Sequence, residues 1–446
     1  VQRVEALIVS GAFLRWFVGG LALSVTLCGG LASAQTVTTS SSAAEETFSL
    51  LSPKPISTYN PLLKPNRDYT GEPLGDWMLY PSLLAGAIFD SDPLQSPASI
   101  HSAVGTRLHP AIVADHESGA QKTSIYGNAD ARIYPDLSSG DAVDAQAGFT
   151  HVWEAQRDLT FKAQGEYDRR TYLTNGGQLL TPTGGVGTLV APQLSDQFKG
   201  SVAVEKDFDH LFVAMSATLA KTTYADLDTT GGTISQNYRD SFVTSVAGRG
   251  GYWFSPAGYV FMEAAGNIRD FSDAAYDSQG YRVTAGLGSN RIGLFRGEIY
   301  AGYQQQMFDT PLYGSTAAPV FGGKVYWYPT RALTISAVLD ETFSDSSDPT
   351  PTNPSGFAAE ITSARLNAFY QMAKSWSISW RGGVDHSAYL GSVRVDQSWV
   401  TGTTFNYEIN RNMNLIFDYN FTRVNSNAAS SSYSRNTLSL GGAYRY

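Results

Sequence analysis

The chain has 446 residues, 42% hydrophobic and only 16% charged, with 12% aromatics, 43 glycines and a formal charge of −9. Charged residues fall well below the roughly 25% of an average soluble domain, yet the mean hydropathy is slightly negative, which excludes a bundle of apolar membrane helices. The acidic balance also excludes nucleic acid as a partner, because phosphate backbones demand clustered Lys and Arg.

The chain opens with Arg3 and Arg15, followed by an apolar run from Trp16 to Cys28. At about 13 residues against the roughly 20 of a spanning helix, the run is too short to cross a bilayer. Ala32-Ser33-Ala34 supplies the small residues that a signal peptidase needs, so residues 1–34 read as a signal peptide cleaved between Ala34 and Gln35. The single cysteine, Cys28, lies inside that leader, and the mature chain is expected to have neither disulfides nor thiol chemistry. Residues 35–76 are rich in Ser, Thr, Ala, Glu and Pro, as in the stretch from Thr39 to Glu46. Such a composition cannot bury a core and reads as a flexible periplasmic segment.

From Trp77 onward the pattern has period two. Leu159, Phe161, Ala163, Gly165 and Tyr167 alternate with Thr160, Lys162, Gln164, Glu166 and Asp168. Leu333, Ile335, Ala337 and Leu339 alternate with Thr334, Ser336 and Asp340. The same holds for Trp376, Ile378 and Trp380 against Ser377, Ser379 and Arg381, and for Met413, Leu415, Phe417 and Tyr419 against Asn414, Asp418 and Asn420. Successive strand residues point to opposite faces, so each segment has one apolar and one polar surface. These runs exceed the usual five or six residues of a soluble strand and suit a tilted membrane crossing. Aromatics gather at their ends, as in Tyr252-Trp253-Phe254 and Tyr326-Trp327-Tyr328, where an interfacial girdle belongs.

Short links, such as Asp207-Phe208-Asp209, Asn290-Arg291-Ile292 and Asn410-Arg411-Asn412, alternate with long polar stretches, including 174–195, 226–237, 344–359 and 425–433. That rhythm predicts an all-β transmembrane up-and-down antiparallel barrel over 77–446, with about eighteen strands and sixteen as the fallback. An even number returns both ends of the series to the periplasm. The last strand places Leu440, Tyr444 and Tyr446 at alternate positions, which resembles the assembly signal that the barrel-assembly machinery reads. Outer-membrane lipid and lipopolysaccharide are the expected surroundings.

The chain also resembles the beta-barrel porin 2 family. The likeness is carried by Tyr80-Pro81-Ser82-Leu83, by Leu108-His109-Pro110-Ala111, and by the stretch Ile125-Tyr126-Gly127-Asn128-Ala129-Asp130-Ala131-Arg132-Ile133-Tyr134-Pro135-Asp136. It covers most of the chain after position 75. Members often carry a paired acid and Asn after the first strand, from which Phe89-Asp90-Ser91-Asp92 departs. The resemblance implies an outer-membrane barrel and a porin, and it supplies no catalytic residues.

No catalytic, cofactor or metal constellation emerges from the residues. The six histidines are scattered without ligand spacing. His386 and Ser387 beside Asp385 are adjacent on one strand and so face opposite ways. Acidic stretches at 90–92, 270–277 and 345–348 lack the Gly and Glu of a calcium loop and read as solvated loops. The polar strand faces instead supply a predicted pore lining: Lys162, Glu166, Asp168, Arg170, Arg269, Arg296, Glu298, Asp340, Arg365, Arg381, Asp385 and Asp418. Charges are costly against lipid, so these must point inward. Their mixed signs suit a diffusion pore for small hydrophilic solutes, narrowed by the loop at 174–195 folding inward. An exopolysaccharide export conduit and an outer-membrane lipid hydrolase are the alternatives. Solute identity and oligomeric state are not encoded in any motif.

Overall fold

Each alternating segment carries β-branched and aromatic residues on one face and polar groups on the other, and such a segment is stable as a strand whose two faces meet different media. The computed structural model describes residues 71–95, 101–172, 179–180, 186–187, 192–311, 314–345, 358–428 and 432–445. Ala34, Gln35 and Tyr446, the leader and most of the flexible segment therefore lie outside the described residues, as does most of the loop at 174–195.

The wall begins with β1 (Trp77–Asp90), β2 (Ala103–Ser118), β3 (Gln121–Ile133), β4 (Ala142–Gln156), β5 (Leu159–Tyr172) and β6 (Gln193–Phe208). It continues with β7 (Leu211–Tyr224), β8 (Ser241–Trp253), β9 (Gly258–Phe271), β10 (Ser278–Ile292), β11 (Phe295–Phe308) and β12 (Ser315–Trp327). The last six are β13 (Leu333–Asp345), β14 (Ala358–Ala373), β15 (Trp376–Tyr389), β16 (Val395–Glu408), β17 (Met413–Ser426) and β18 (Tyr433–Arg445). Each pairs antiparallel with the next, and β18 returns to β1 in a register from Ser82↔Arg445 to Asp90↔Thr437. The eighteen strands thus form a closed barrel, with the short strand Glu72–Leu74 folded back onto the start of β1. One junction is brief: β12 and β13 pair only from Gly323↔Leu339 to Trp327↔Ile335.

The burial pattern identifies the two faces. On β7, Leu211, Val213, Met215 and Leu219 are exposed while Phe212, Ala214, Ser216, Thr218 and Ala220 are buried. On β9, Val260, Met262 and Ile268 are exposed while Glu263 and Arg269 are buried. An exterior that is apolar on strand after strand belongs in hydrocarbon, and the protein is an integral outer-membrane barrel. Aromatic pairs rim the short-turn end: Trp153 with Phe161 at 5.4 Å between ring centroids, Phe295 with Trp327 at 5.9 Å, and Trp376 with Tyr407 at 4.4 Å.

Short turns and long connections alternate as the spacing predicted, with local differences. The link read at Asn290-Arg291-Ile292 is the end of β10, and the chain turns instead at Gly293-Leu294. Gly293 supplies the positive φ, 61°, that this tight turn requires. The acidic stretch at 270–277 is a solvent-exposed turn, as expected, and it is ordered by its own carboxylates. Phe271 N–H donates to Asp277 at 2.6 Å and Ala275 N–H to Asp273 at 3.0 Å.

Candidate pore-lining site

Many inward side chains pair with partners on neighbouring strands. Arg249 on β8 shows how. Its guanidinium donates through Nε to Glu263 on β9 at 2.9 Å and through Nη1 to Glu298 on β11 at 3.1 Å. The Tyr259 hydroxyl donates to the same Glu298 at 2.6 Å, and the cation sits 4.3 Å from the centre of the Phe261 ring. To reach β11 from β8 a side chain must pass over two strands, and β10 makes that possible by presenting glycines inward. A Cβ on Gly288 would fall 2.1 Å from the Tyr259 ring, and one on Gly286 would fall 2.6 Å from that of Phe261. The rings occupy the space those side chains would fill. Phe212, Tyr259, Phe261, Tyr300 and Val320 form one buried cluster on this inner wall.

Around the closing strands the inner wall is more polar. Arg107 donates to both oxygens of Asp130 at 2.7 and 3.2 Å, Arg132 to Asp144 at 2.5 Å, and Arg381 to Asp418 at 2.9 Å. Arg435 forms a bidentate pair with Asp90, which also accepts from the Tyr134 hydroxyl at 3.1 Å. Asp90 is completely buried, so the stretch at 90–92 is a structural ion pair where the sequence suggested a solvated loop. Between these pairs lies a small recess lined by Arg107, Asp130, Arg132, Asp418, Asn420, Arg435 and neighbouring hydroxyls. Arg132 Nε in the recess and His109 Nδ1, 3.9 Å from Asp130, are buried without a hydrogen-bond partner.

All twelve residues assigned to a lining sit on the face opposite the exposed apolar side chains. Lys162 bonds Glu205 at 2.9 Å, and Glu166 accepts from the Tyr126 hydroxyl at 2.5 Å. Asp168 and Arg170 pair with each other, as do Arg365 and Asp385, the latter at 2.7 Å. Arg296 stacks over Tyr326, while Glu298 belongs to the Arg249 cluster and Asp418 to the recess. Arg269 and Asp340 each take part in contacts between β13 and the facing wall: Arg269 donates to the Phe343 carbonyl at 2.9 Å and Asp340 accepts from Arg282 at 2.9 Å. Among the described residues no group of three or more His, Cys, Asp and Glu side chains is placed to hold a metal ion.

A profile of the family described as "Putative beta-barrel porin 2" matches residues 64–446. The chain belongs to that family. A BenF-like porin from Pseudomonas fluorescens Pf-5 is 11% identical, with a TM-score of 0.44 over 84% of this chain and 100% of that one. A mutant of the ferric enterobactin receptor PfeA from Pseudomonas aeruginosa is 7% identical, with a TM-score of 0.42 over 82% and 80%. No curated protein matches the sequence.

The stretches that carry the likeness to the beta-barrel porin 2 family supply residues around this part of the wall: Asp130 and Arg132 line the recess, Tyr134 donates to Asp90, the partner of the recess-lining Arg435, and His109 lies 3.9 Å from Asp130. Pro110, which has no N–H to give, coincides with the break in the β2–β3 ladder between Leu108↔Ala131 and Ala111↔Asn128. Sequence reasoning missed Arg107, Asp130, Arg132, Arg249, Arg282 and Arg435 as inward charges. The alternation of Asp130 and Arg132 with Ala129, Ala131 and Ile133 was available to find two of them. Arg249 was masked by the glycines at 248 and 250, which remove the apolar half of the pattern.

Proposed function

We propose that the barrel is a channel for passive or semi-selective diffusion of small hydrophilic solutes. The observation that carries this reading is the inner wall of closely spaced opposite charges, running from the Arg107–Asp130 and Arg381–Asp418 pairs to Lys162–Glu205. Such a wall is hydrophilic without a large field of one sign, and so admits polar solutes of either charge with modest preference. A lining for a long polysaccharide would instead expose aromatic surface, whereas one group of inner-wall rings is packed away in the Phe212–Val320 cluster. The outward, exposed Leu440 and Tyr444 on β18 support the reading of the last strand as the segment handed to the assembly machinery, and residues 1–34 serve in this reading as the export leader.

Refolded protein in a planar bilayer under a salt gradient should give stable unitary steps. Arg381→Glu removes the partner of Asp418 and adds an acid, so the reversal potential should move toward cation selectivity. A folded, heat-modifiable barrel that conducts nothing overturns the proposal.

A further inference from the structure

The brief β12–β13 junction marks a place where the wall folds into the lumen. β12 remains paired with β11 out to Met307↔Ser315, and β13 with β14 out to Asp345↔Ala358, but β12 and β13 part company beyond Gly323↔Leu339. On β13, Ile335, Ala337, Leu339, Glu341 and Phe343 share one side, because alternate residues point the same way. Near the short turns that side faces lipid, as the exposed Tyr370 paired with Leu333 shows. Toward the long-loop end the same side is buried: Glu341 is 6% exposed, Phe343 3% and Ala358 of β14 1%. What covers it is the inner face of β9–β11. Ala358 packs with Tyr276 and Phe308, and the Glu341 and Phe343 carbonyls accept from Arg282 at 3.4 Å and Arg269 at 2.9 Å.

Those carbonyls are the ones a continuous ladder would have paired with β12. The Leu339 carbonyl points at β12, since a Cβ on Gly322 would lie 2.6 Å from it, and the carbonyls two and four residues on point the same way. The two arginines therefore replace lost ladder partners. On the other lip, Pro319 occupies the matching orientation and brings no N–H to the edge, which is where a sheet tolerates proline. The composition of the folded-in segment also opposes closure. Glu341 and Glu360, on adjoining strands and on one side of them, lie on the side that would face hydrocarbon if β13 and β14 stood in the wall, a costly place for an acid.

We propose that the long-loop halves of β13 and β14 form an internal flap that sets the narrowest part of the lumen, with Arg269 and Arg282 as the positioning residues that hold it there. The constriction rests on the channel reading above; the position of the flap does not. Replacing both acids, Glu341→Leu with Glu360→Leu, removes the bar to closure and should let the ladder extend. The cysteine pair Val320→Cys/Thr342→Cys, opposite each other in the extended register, should stay reduced in the otherwise native barrel and cross-link in the leucine background. Lys324→Cys/Val338→Cys, already paired, should cross-link in both and reports that the barrel is folded. Unitary conductance should rise by roughly a factor of two in the leucine background as the lumen widens. Ready cross-linking of the upper pair in the native background overturns the flap, as does its failure in the leucine background while the lower pair links. Cross-linking in the leucine background with unchanged conductance overturns the constriction. Silence of every variant, with the cross-linking as expected, overturns the channel reading and leaves the flap standing.

Discussion

Arg249 has no exposed side-chain surface, yet it is bound to two acids and a ring. Removing one member of a buried charge cluster leaves the others uncompensated, which costs about 3–5 kcal/mol. Arg249→Ala should therefore unfold at markedly lower denaturant. Adding Glu263→Gln and Glu298→Gln should recover most of the loss, because the stranded charges are then gone. Chemical denaturation in detergent, followed by the heat-modifiable band, measures both. Asp158, in the short turn between β4 and β5, is partly exposed. The Lys206 ammonium, 2.5 Å away, donates a hydrogen bond that holds the Asp158 carboxyl below the usual carboxylate range. A carboxyl whose folded value is depressed adds stability above its unfolded value and loses it as pH falls through the folded one. Asp158→Asn should thus lower stability slightly at neutral pH and not at all in strong acid, where the carboxyl of the native residue is already protonated.

The strands divide into those whose design was legible and those whose design was not. β5, β15 and β17 alternate cleanly, so their boundaries and inward charges could be read from side-chain type alone. β8 and β10 could not, because their glycines carry no polarity. Gly286 and Gly288 make sense only beside Phe261 and Tyr259 on the neighbouring strand, a pairing that no single-strand pattern contains. For the same reason the ion pairs were out of reach: alternation gives the face of Arg282 but not its reach from β10 to Asp340 on β13. The inward fold of β13 left one sequence trace, Glu341 on an otherwise apolar face, and it reads as an exception until the neighbours are known. The value of the glycine–ring fit is open to measurement. Gly286→Val places methyl groups against the Phe261 ring and the Ile299 carbonyl, and overpacking of that kind costs about 1–3 kcal/mol. Gly200→Val, where a Cβ meets nothing within 4 Å, should be close to neutral in the same denaturation assay.

Among the described residues the barrel turns a largely apolar exterior to lipid, and most of its inward charges pair with one another. Most inner cations are matched by an acid on an adjacent or nearby strand, so the lumen should screen easily. Current through the pore is expected to scale almost linearly with salt, and the zero-current potential to stay small across a gradient. Arg435→Gln and Asp90→Asn, each breaking one pair at the closing strands, should shift that potential in opposite directions. Measured in matched bilayers, equal shifts of the same sign would show that the recess does not govern ion passage.

Asp90 and Arg435 stand 345 positions apart in the chain, so their contact can form only after every intervening hairpin has been threaded and docked. The first strand must wait, with its outer edge unsatisfied, for the last one to be delivered. An unpaired edge in hydrocarbon costs several kcal/mol for each stranded backbone group, so a partly built cylinder has no comfortable resting place in the bilayer. Maturation is then close to all-or-none. A polypeptide shortened by its final strand should not yield a leakier version of the finished protein, but should stay with chaperones or be degraded before it reaches the cell surface.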